Sequence, residues 1–332
     1  MREPAFWWRT PGVAALALSP LGAVYGSVAA SRMTRPGWRA PVPVICVGNF
    51  TLGGSGKTPV AIALAGLLAD AGHRPFLLSR GYGGSATSPL TVDPLAHSAA
   101  QVGDEALLLA RAAPTIVAPD RAAGARAAIE AGATVIVMDD GLQNPSLAKD
   151  LTVAVIDGQR GIGNGKVFPA GPLRAPMAAQ WPRIDALLVI GGNEGASSLI
   201  AEANTRHIPV VSGSLRPNGA AVASLQGHKA LAFAGIGNPD KFFATLRAAN
   251  IATPVCKAFA DHHRYTDEEA AALLMQAEHE GLDLVTTEKD LARMAGEPGL
   301  AALRTRARAL PVSLTFGDEK MLRDLVLPKA TR

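Results

Sequence analysis

The sequence predicts an α/β chain: a parallel sheet flanked by helices of the P-loop NTPase type, a second and smaller α/β domain, and an N-terminal membrane-associated helix. Three observations predict it. An apolar run at 42–47 leads through a glycine cluster to Gly56-Lys57-Thr58, and a helical pattern follows from Pro59. A second continuous apolar run, 134–138, is closed by Asp139-Asp140-Gly141, as suits a strand covered on both faces. Short strand-like runs then alternate with helix-length segments along most of the chain.

The amino terminus comes first. No charged residue occurs between Arg9 and Arg32, and 12–30 is mostly Ala, Leu, Val and Gly. Phe6, Trp7 and Trp8 precede this stretch; Arg32, Arg35, Trp38 and Arg39 follow it. Aromatic residues and arginines flanking an apolar segment are what a membrane interface selects. A secretory signal fits the length, but export would part a phosphate-binding loop from cytosolic nucleotide. A buried core helix is the other alternative. Pro20 and the small residues keep the hydrophobicity modest, so an interfacial helix and a true span both stay open.

The strand at 42–47 delivers the loop 48–58. Its glycines let backbone N–H groups turn toward phosphate oxygens, and the following helix adds its positive end. Gly53, Gly54, Ser55, Gly56, Lys57 and Thr58 form the cradle, Lys57 reaching the β/γ-phosphates and Thr58 taking a place on Mg²⁺. Thr51 stands where the G-x-x-x-x-G-K-[ST] pattern has its first glycine. A helix is predicted over 60–71 and a strand over 75–79, opening into Arg80-Gly81-Tyr82-Gly83-Gly84. An irregular polar loop is expected over 85–100. Gly103-Asp104-Glu105 begins a helix through 113 with an acidic first turn matched to the dipole. Strands follow at 115–118, 134–138 and 151–156, with a helix at 119–131. Asp139 and Asp140, at a strand's carboxyl end, sit where open α/β sheets bind ligands, and one of them would hold the metal.

From 158 to 182 glycine and proline are dense, predicting a long structured loop. A strand is expected at 185–190, then strands near Val210, at 230–234 and 282–286, with helices at 240–249 and 267–280. The expected domains are 1–40 (helix and flank), 41–185 (P-loop domain, with 317–332 a candidate to rejoin it) and 186–316 (the smaller unit closing over nucleotide).

At 332 residues two domains are expected, and 48% hydrophobic but only 5% aromatic content suits packed helices on a parallel sheet. The net charge is +4, from 32 basic and 28 acidic residues, and no basic stripe interleaved with aromatics argues for nucleic acid. A modest surplus suits an anionic membrane surface or a phosphorylated substrate. Two cysteines, Cys46 and Cys256, read as buried thiols in a reducing compartment, without zinc spacing.

Taken in order, these stretches resemble the tetraacyldisaccharide 4′-kinases. The resemblance is carried by Val47-Gly48-Asn49 through Thr58-Pro59, Ser79-Arg80-Gly81-Tyr82-Gly83, Val102-Gly103-Asp104-Glu105 and Asp139-Asp140-Gly141-Leu142-Gln143. Pro169 to Arg174, Asp261-His262-His263 and Thr286-Thr287-Glu288-Lys289-Asp290 extend it over nearly the whole chain. It implies transfer of the γ-phosphoryl of ATP, with Mg²⁺, to the 4′-hydroxyl of a tetraacylated glucosamine disaccharide 1-phosphate. The product would be lipid IVA, made on the cytoplasmic face of a Gram-negative inner membrane. No protein partner is evident. One departure stands out: the family commonly has Glu after the Arg of Gly-Pro-Leu-Arg, where this chain has Ala175.

A sugar hydroxyl is a poor nucleophile at neutral pH, so a base is expected within hydrogen-bond reach. Asp104 is the candidate base, and the resemblance pairs it with His262. Arg80 and Arg174 are candidates for the substrate 1-phosphate or the ATP phosphates, with Asn49 and Gln143 as further substrate contacts. Thr286 to Asp290 is a candidate nucleotide contact or a helix cap. The competing function is a P-loop ATPase or GTPase of the partition or metallochaperone type, against which Leu52 stands where many such proteins carry a second lysine. A membrane scaffold with a degenerate nucleotide site is the non-enzymatic alternative, and intact Lys57, Thr58, Asp139 and Asp140 weigh against it.

Overall fold

The computed structural model describes residues 3–331. Its frame is a nine-stranded sheet in the order β13-β8-β7-β6-β1-β5-β2-β4-β3. The strands are β1 (Val44–Gly48), β2 (Pro75–Ser79), β3 (Leu90–Thr91), β4 (Thr115–Val117), β5 (Val135–Asp139), β6 (Leu151–Asp157), β7 (Ala186–Ile190) and β8 (Val210–Pro217). A second sheet holds β9 (Lys229–Ala234), β10 (Ala252–Ala258), β11 (Asp283–Thr286) and β12 (Arg308–Ala309), in the order β10-β9-β11-β12. Then β13 (Val312–Phe316) returns to the first sheet, antiparallel to β8.

The central strands are wholly buried, with every residue of β1, β2, β5, β6 and β7 inside. That explains their unbroken apolar sequences, since both faces are covered by helices. One face packs Ile45, Val47, Val137 and Val153 against Leu64 and Leu68 of helix Lys57–Asp70. The register matters for chemistry. Val47 pairs with Asp139 across β1 and β5, so the glycine loop and the aspartate pair leave the sheet side by side.

The boundary expected near 185 cuts through this sheet. β7 and β8 lie beyond it, yet β7 pairs with β6 and β8 with β7, both parallel. The smaller sheet spans 229–309, and the chain then comes back. Helix Glu319–Ala330 buries Leu322, Val326 and Ala330 in the same core as Leu64 and Val153. Burying Leu322 and Val326 contributes roughly 3–6 kcal/mol, enough to hold this helix on the large sheet. Arg332 lies outside the described residues, as do Met1 and Arg2 of the expected N-terminal segment.

Other expectations change in detail. The 85–100 loop carries β3 and runs into a short helix, Ala99–Val102. Cys256, expected buried, is exposed: β10 is an edge strand whose alternate residues face outward, whereas Cys46 on central β1 is buried. The glycine- and proline-rich stretch after β6 is indeed structured, with Val167 bridging to Leu173 and a cis Phe168-Pro169 bond.

Helix Val13–Met33 lies against that stretch. A Cβ at Gly22 would come within 2.8 Å of the Val167 carbonyl oxygen, so only glycine permits this approach. Tyr25 meets Phe168 edge-on, and Trp7 donates its indole N–H to Pro169 O at 3.0 Å. The outer face leaves Val13, Leu16, Leu21, Val24 and Val28 in solvent, and mean hydropathy over its most apolar window is 1.6.

Candidate active site

The glycine loop is built as the sequence predicts. Gly53 and Gly56 have φ of 93° and 90°, a region that favours glycine, and Gly56 caps helix Lys57–Asp70. Thr51 explains itself: it bridges to Leu173, and its carbonyl accepts the Arg174 Nε–H at 2.8 Å. Thr51 does not take a positive φ, so the position needs no glycine. Lys57 and Thr58 are buried, and Lys57 Nζ stands 3.6 Å from Asp140 Oδ1.

Arg174 binds Asp140 at 2.9 Å and so ties the aspartate pair to the loop. Burial opposes ionisation of Asp140, but the Lys57 and Arg174 charges outweigh it and hold the carboxyl well below its usual range. Asp139 behaves oppositely. Burial, reinforced by the negative charge of Glu105, pushes it up. Its Oδ1 is buried without a hydrogen-bond partner, as is Ser55 Oγ. Thr58 and Asp140 line a cavity beside the glycine loop, while Asp139 lies just behind it. Hydroxyl and carboxylate oxygens of this kind suit Mg²⁺, which keeps several waters and phosphate ligands of its own. The residues therefore fit the metal. Arg121, which sequence reasoning missed, is 2% exposed behind them; it donates to Ala118 O and Asp139 O, and burial lowers it to about 10.

The second cluster crosses between the two sheets. His262 Nδ1 is 3.2 Å from Asp104 Oδ2, and the residue adopts φ of 54°, unusual outside glycine. Arg293 donates to the same oxygen through Nε at 3.1 Å and Nη2 at 2.5 Å. Asp104 Oδ1 accepts the backbone N–H of Glu105. Burial disfavours the Asp104 charge, but the His262 hydrogen bond and the Arg293 and Lys289 charges prevail and hold its pKa well down. The hydrogen bond to Asp104 raises His262 above its ordinary value, against the effect of burial. Lys289 pairs with Glu105 at 2.6 Å.

One cavity of about 1550 Å³ joins the two clusters. The glycine loop, Arg80, Asp140, Arg174 and His262 line it, while Asp104, 4% exposed, is not among the described lining residues. Arg80 is exposed in the cavity wall. Gln143 also lines it, but its amide bridges Asn49 O and Gln180 Oε1, both at 2.8 Å. Asn49 itself is fully buried and does not reach the cavity. Ala175 is buried too, its carbonyl accepting the Gln180 amide at 2.7 Å. Leu18, Tyr25, Ala29 and Arg32 of the apolar helix line the same cavity.

This lining brings a triphosphate cradle, a histidine able to accept a proton and an apolar helix together in one cavity. The sequence signature of the tetraacyldisaccharide-1-P 4′-kinases matches residues 14–331. The chain belongs to that family. A tetraacyldisaccharide 4′-kinase of Methylobacterium sp. (strain 4-46) is 58% identical over 312 residues, covering 94% of each chain. One of Rhodopseudomonas palustris (strain BisA53) is 52% identical, over 98% of this chain and 95% of that one. A crystal structure of LpxK from Aquifex aeolicus in complex with ATP aligns with a TM-score of 0.73 at 25% identity, covering 95% of this chain and 99% of that one.

Arg293 and Arg121 are the site residues that sequence reasoning passed over as functional. Lys289 and Asp290 lay within a motif already noted. Arg293 carried one faint signal, being a helical neighbour four residues beyond Lys289.

Proposed function

We propose that this chain transfers the γ-phosphoryl group of ATP to the 4′-hydroxyl of a tetraacylated glucosamine disaccharide 1-phosphate. The observation that carries the reading is that the phosphate loop, His262 and the apolar helix all line one cavity. A hydrophilic triphosphate and an amphipathic lipid need polar and apolar lining together, and family membership agrees.

In this reading Gly53 to Thr58 and Lys57 grip the triphosphate, and Arg174 orients Asp140 at its edge. Thr58, Asp139 and Asp140 would hold Mg²⁺, which when bound supplies charge neutralisation at the phosphate oxygens. Asp104 and His262 serve the acceptor as a pair. Both Asp104 oxygens are occupied and its charge is already compensated, so it makes a weak base. His262 has Nδ1 committed, while Nε2 makes no hydrogen bond among the described residues and stands 3.9 Å from Asp261 Oδ1, so in this reading Nε2 receives the sugar hydroxyl. As that hydroxyl oxygen bonds to the γ-phosphorus, its proton passes to Nε2, the bond from γ-phosphorus to the bridging oxygen breaks, and ADP departs. The role first given to Asp104 thus moves one residue outward, with Asp104 as the orienting partner. In this reading Arg80 and Arg32, which line the cavity, would bind the substrate's 1-phosphate.

The N-terminal helix has 21 residues, roughly the ~30 Å of a hydrocarbon core, yet its packing on 167–176 favours a helix lying at the surface of the inner membrane. Removing residues 1–32 is expected to abolish sedimentation with anionic vesicles; an equally vesicle-bound truncation would reject this anchor. The decisive assay supplies γ-labelled ATP and the disaccharide 1-phosphate in detergent micelles. Label in the lipid fraction supports the kinase; phosphate release indifferent to lipid would support a hydrolase instead.

A further inference from the structure

We propose that Arg293 is a positioning residue for phosphoryl transfer, fixing Asp104 from the smaller unit so that Asp104 in turn sets the His262 imidazole at the acceptor hydroxyl. The proposal rests on the reading of Asp104 and His262 as the acceptor-activating pair.

The guanidinium has almost no other work available to it. Its side chain is 6% exposed, and its N–H groups are taken by Asp104, by Asp290 Oδ1 at 2.8 Å, and by the carbonyls of Gly235 and His263. Asp290 is fully buried and is held in turn by the Gly235 N–H, the Tyr265 hydroxyl and Thr287. A chain of contacts therefore runs from Asp290 through Arg293 and Asp104 to His262. Every member but Asp104 belongs to the smaller unit. Asp104 opens a helix of the large one.

The geometry at Asp104 gives the chain its purpose. Arg293 and His262 Nδ1 share one carboxylate oxygen, while the Glu105 N–H takes the other, so the carboxylate plane has no freedom left. The imidazole inherits that orientation, with Tyr82 tilted against its ring at 5.1 Å. One turn earlier on the same helix, Glu288–Arg293, Lys289 grips Glu105. Two cations spaced by four residues thus meet two consecutive acids across the interface, fixing its register as well as its closure. Net stabilisation is a poor explanation for burying such charges, because desolvation offsets most of what a buried pair gains.

The test compares Arg293→Met and Arg293→Lys with the intact chain in the micellar assay, measuring kcat, KM for ATP and lipid, direct Mg-ATP binding and thermal melting. Displacing reacting groups by about an ångström costs on the order of 100-fold. The Met variant is therefore expected to lose about 100-fold in kcat with both KM values within about threefold. Lys restores the charge but not the planar fork, and is expected to recover about tenfold of that loss. Should Met prevent folding, Lys alone decides, an unchanged kcat overturning the assignment. It is likewise overturned if Met keeps kcat within about threefold, if Mg-ATP binding falls in proportion, or if Lys is no better than Met. Asp104→Asn and His262→Gln are run beside them. Full turnover in those two would sink the catalytic-pair reading itself; their inactivity alongside active Arg293 variants would sink only the role of Arg293.

Discussion

Replacing Asp104 with Asn isolates a charge while keeping a side chain's shape. The carboxylate accepts at both oxygens, from Glu105 N–H on one side and from Arg293 and His262 on the other. Either orientation of the amide therefore points an NH₂ group at a donor. Breaking a buried pair by removing one charge costs about 3–5 kcal/mol. Asp290 still compensates Arg293 here, which places the loss near the lower figure, ~3 kcal/mol. Chemical denaturation should show that loss between about pH 4 and 6.5. The sign follows from the two partners. Asp104, with a depressed pKa, stabilises the fold above its ordinary value of 3.8 and loses that contribution as pH falls through its folded value. His262, with a raised pKa, stabilises fully below 6.5 and loses its contribution as pH climbs through its folded value. Turnover should fall by about 10²–10⁴, roughly 2.7–5.5 kcal/mol on the barrier, with Mg-ATP binding nearly unchanged. The wild-type rate should rise with pH through an apparent pKa above 6.5, since His262 must be neutral to accept a proton. In the Asn variant that limb should move down, because the carboxylate whose charge and hydrogen bond raise His262 is replaced by a neutral amide while burial still lowers it. Turnover within about tenfold of wild type, or an unmoved acid limb, would refute the reasoning.

Three further outcomes are expected. Lys57→Met should reduce turnover by about 10³ and weaken Mg-ATP binding measured by calorimetry, because the loop loses its only ammonium group; unaltered binding would place the triphosphate elsewhere. Gly22→Val should cost about 1–3 kcal/mol and free the N-terminal helix from Val167, seen as faster proteolysis near residue 12 and a red-shifted emission from Trp7; an unchanged digestion pattern contradicts the packing. Iodoacetamide at pH 8 should label exposed Cys256 in the folded protein and spare Cys46, whose thiol burial pushes up to about 11. Peptide mass spectrometry reads the result, and labelled Cys46 would mean that β1 is open.

The strands of the large sheet and the phosphate loop were legible because each is specified locally. Fully apolar runs such as 151–156 admit few alternatives, and the glycine loop needs only its own backbone angles and the helix after it. Asp139 and Asp140 were legible as the end of such a run. The domain boundary was not. β7 reads as a strand wherever it is placed, and nothing in its five residues tells whether its partner is β6 or a strand of another sheet. β13 and β10 were missed because edge strands alternate or mix polar residues, weakening the apolar signal that central strands carry. Asn49 lay within a telling motif, yet its side chain faces inward, a matter of strand direction rather than residue type.

By itself the sequence determined the phosphate cradle, the carboxylate pair beside it and the apolar helix, since each rests on the conformational or solvation preference of neighbouring residues. Tertiary structure alone decided that Asp104 should answer to Arg293, 189 positions away, and that His262 rather than Asp104 should face the cavity. It also returned the last helix to the first core. The physical reason is the same in each case. A buried charge takes its partner, its pKa and its role from whatever the fold brings within about 3 Å, and that neighbour is not written in the adjacent residues.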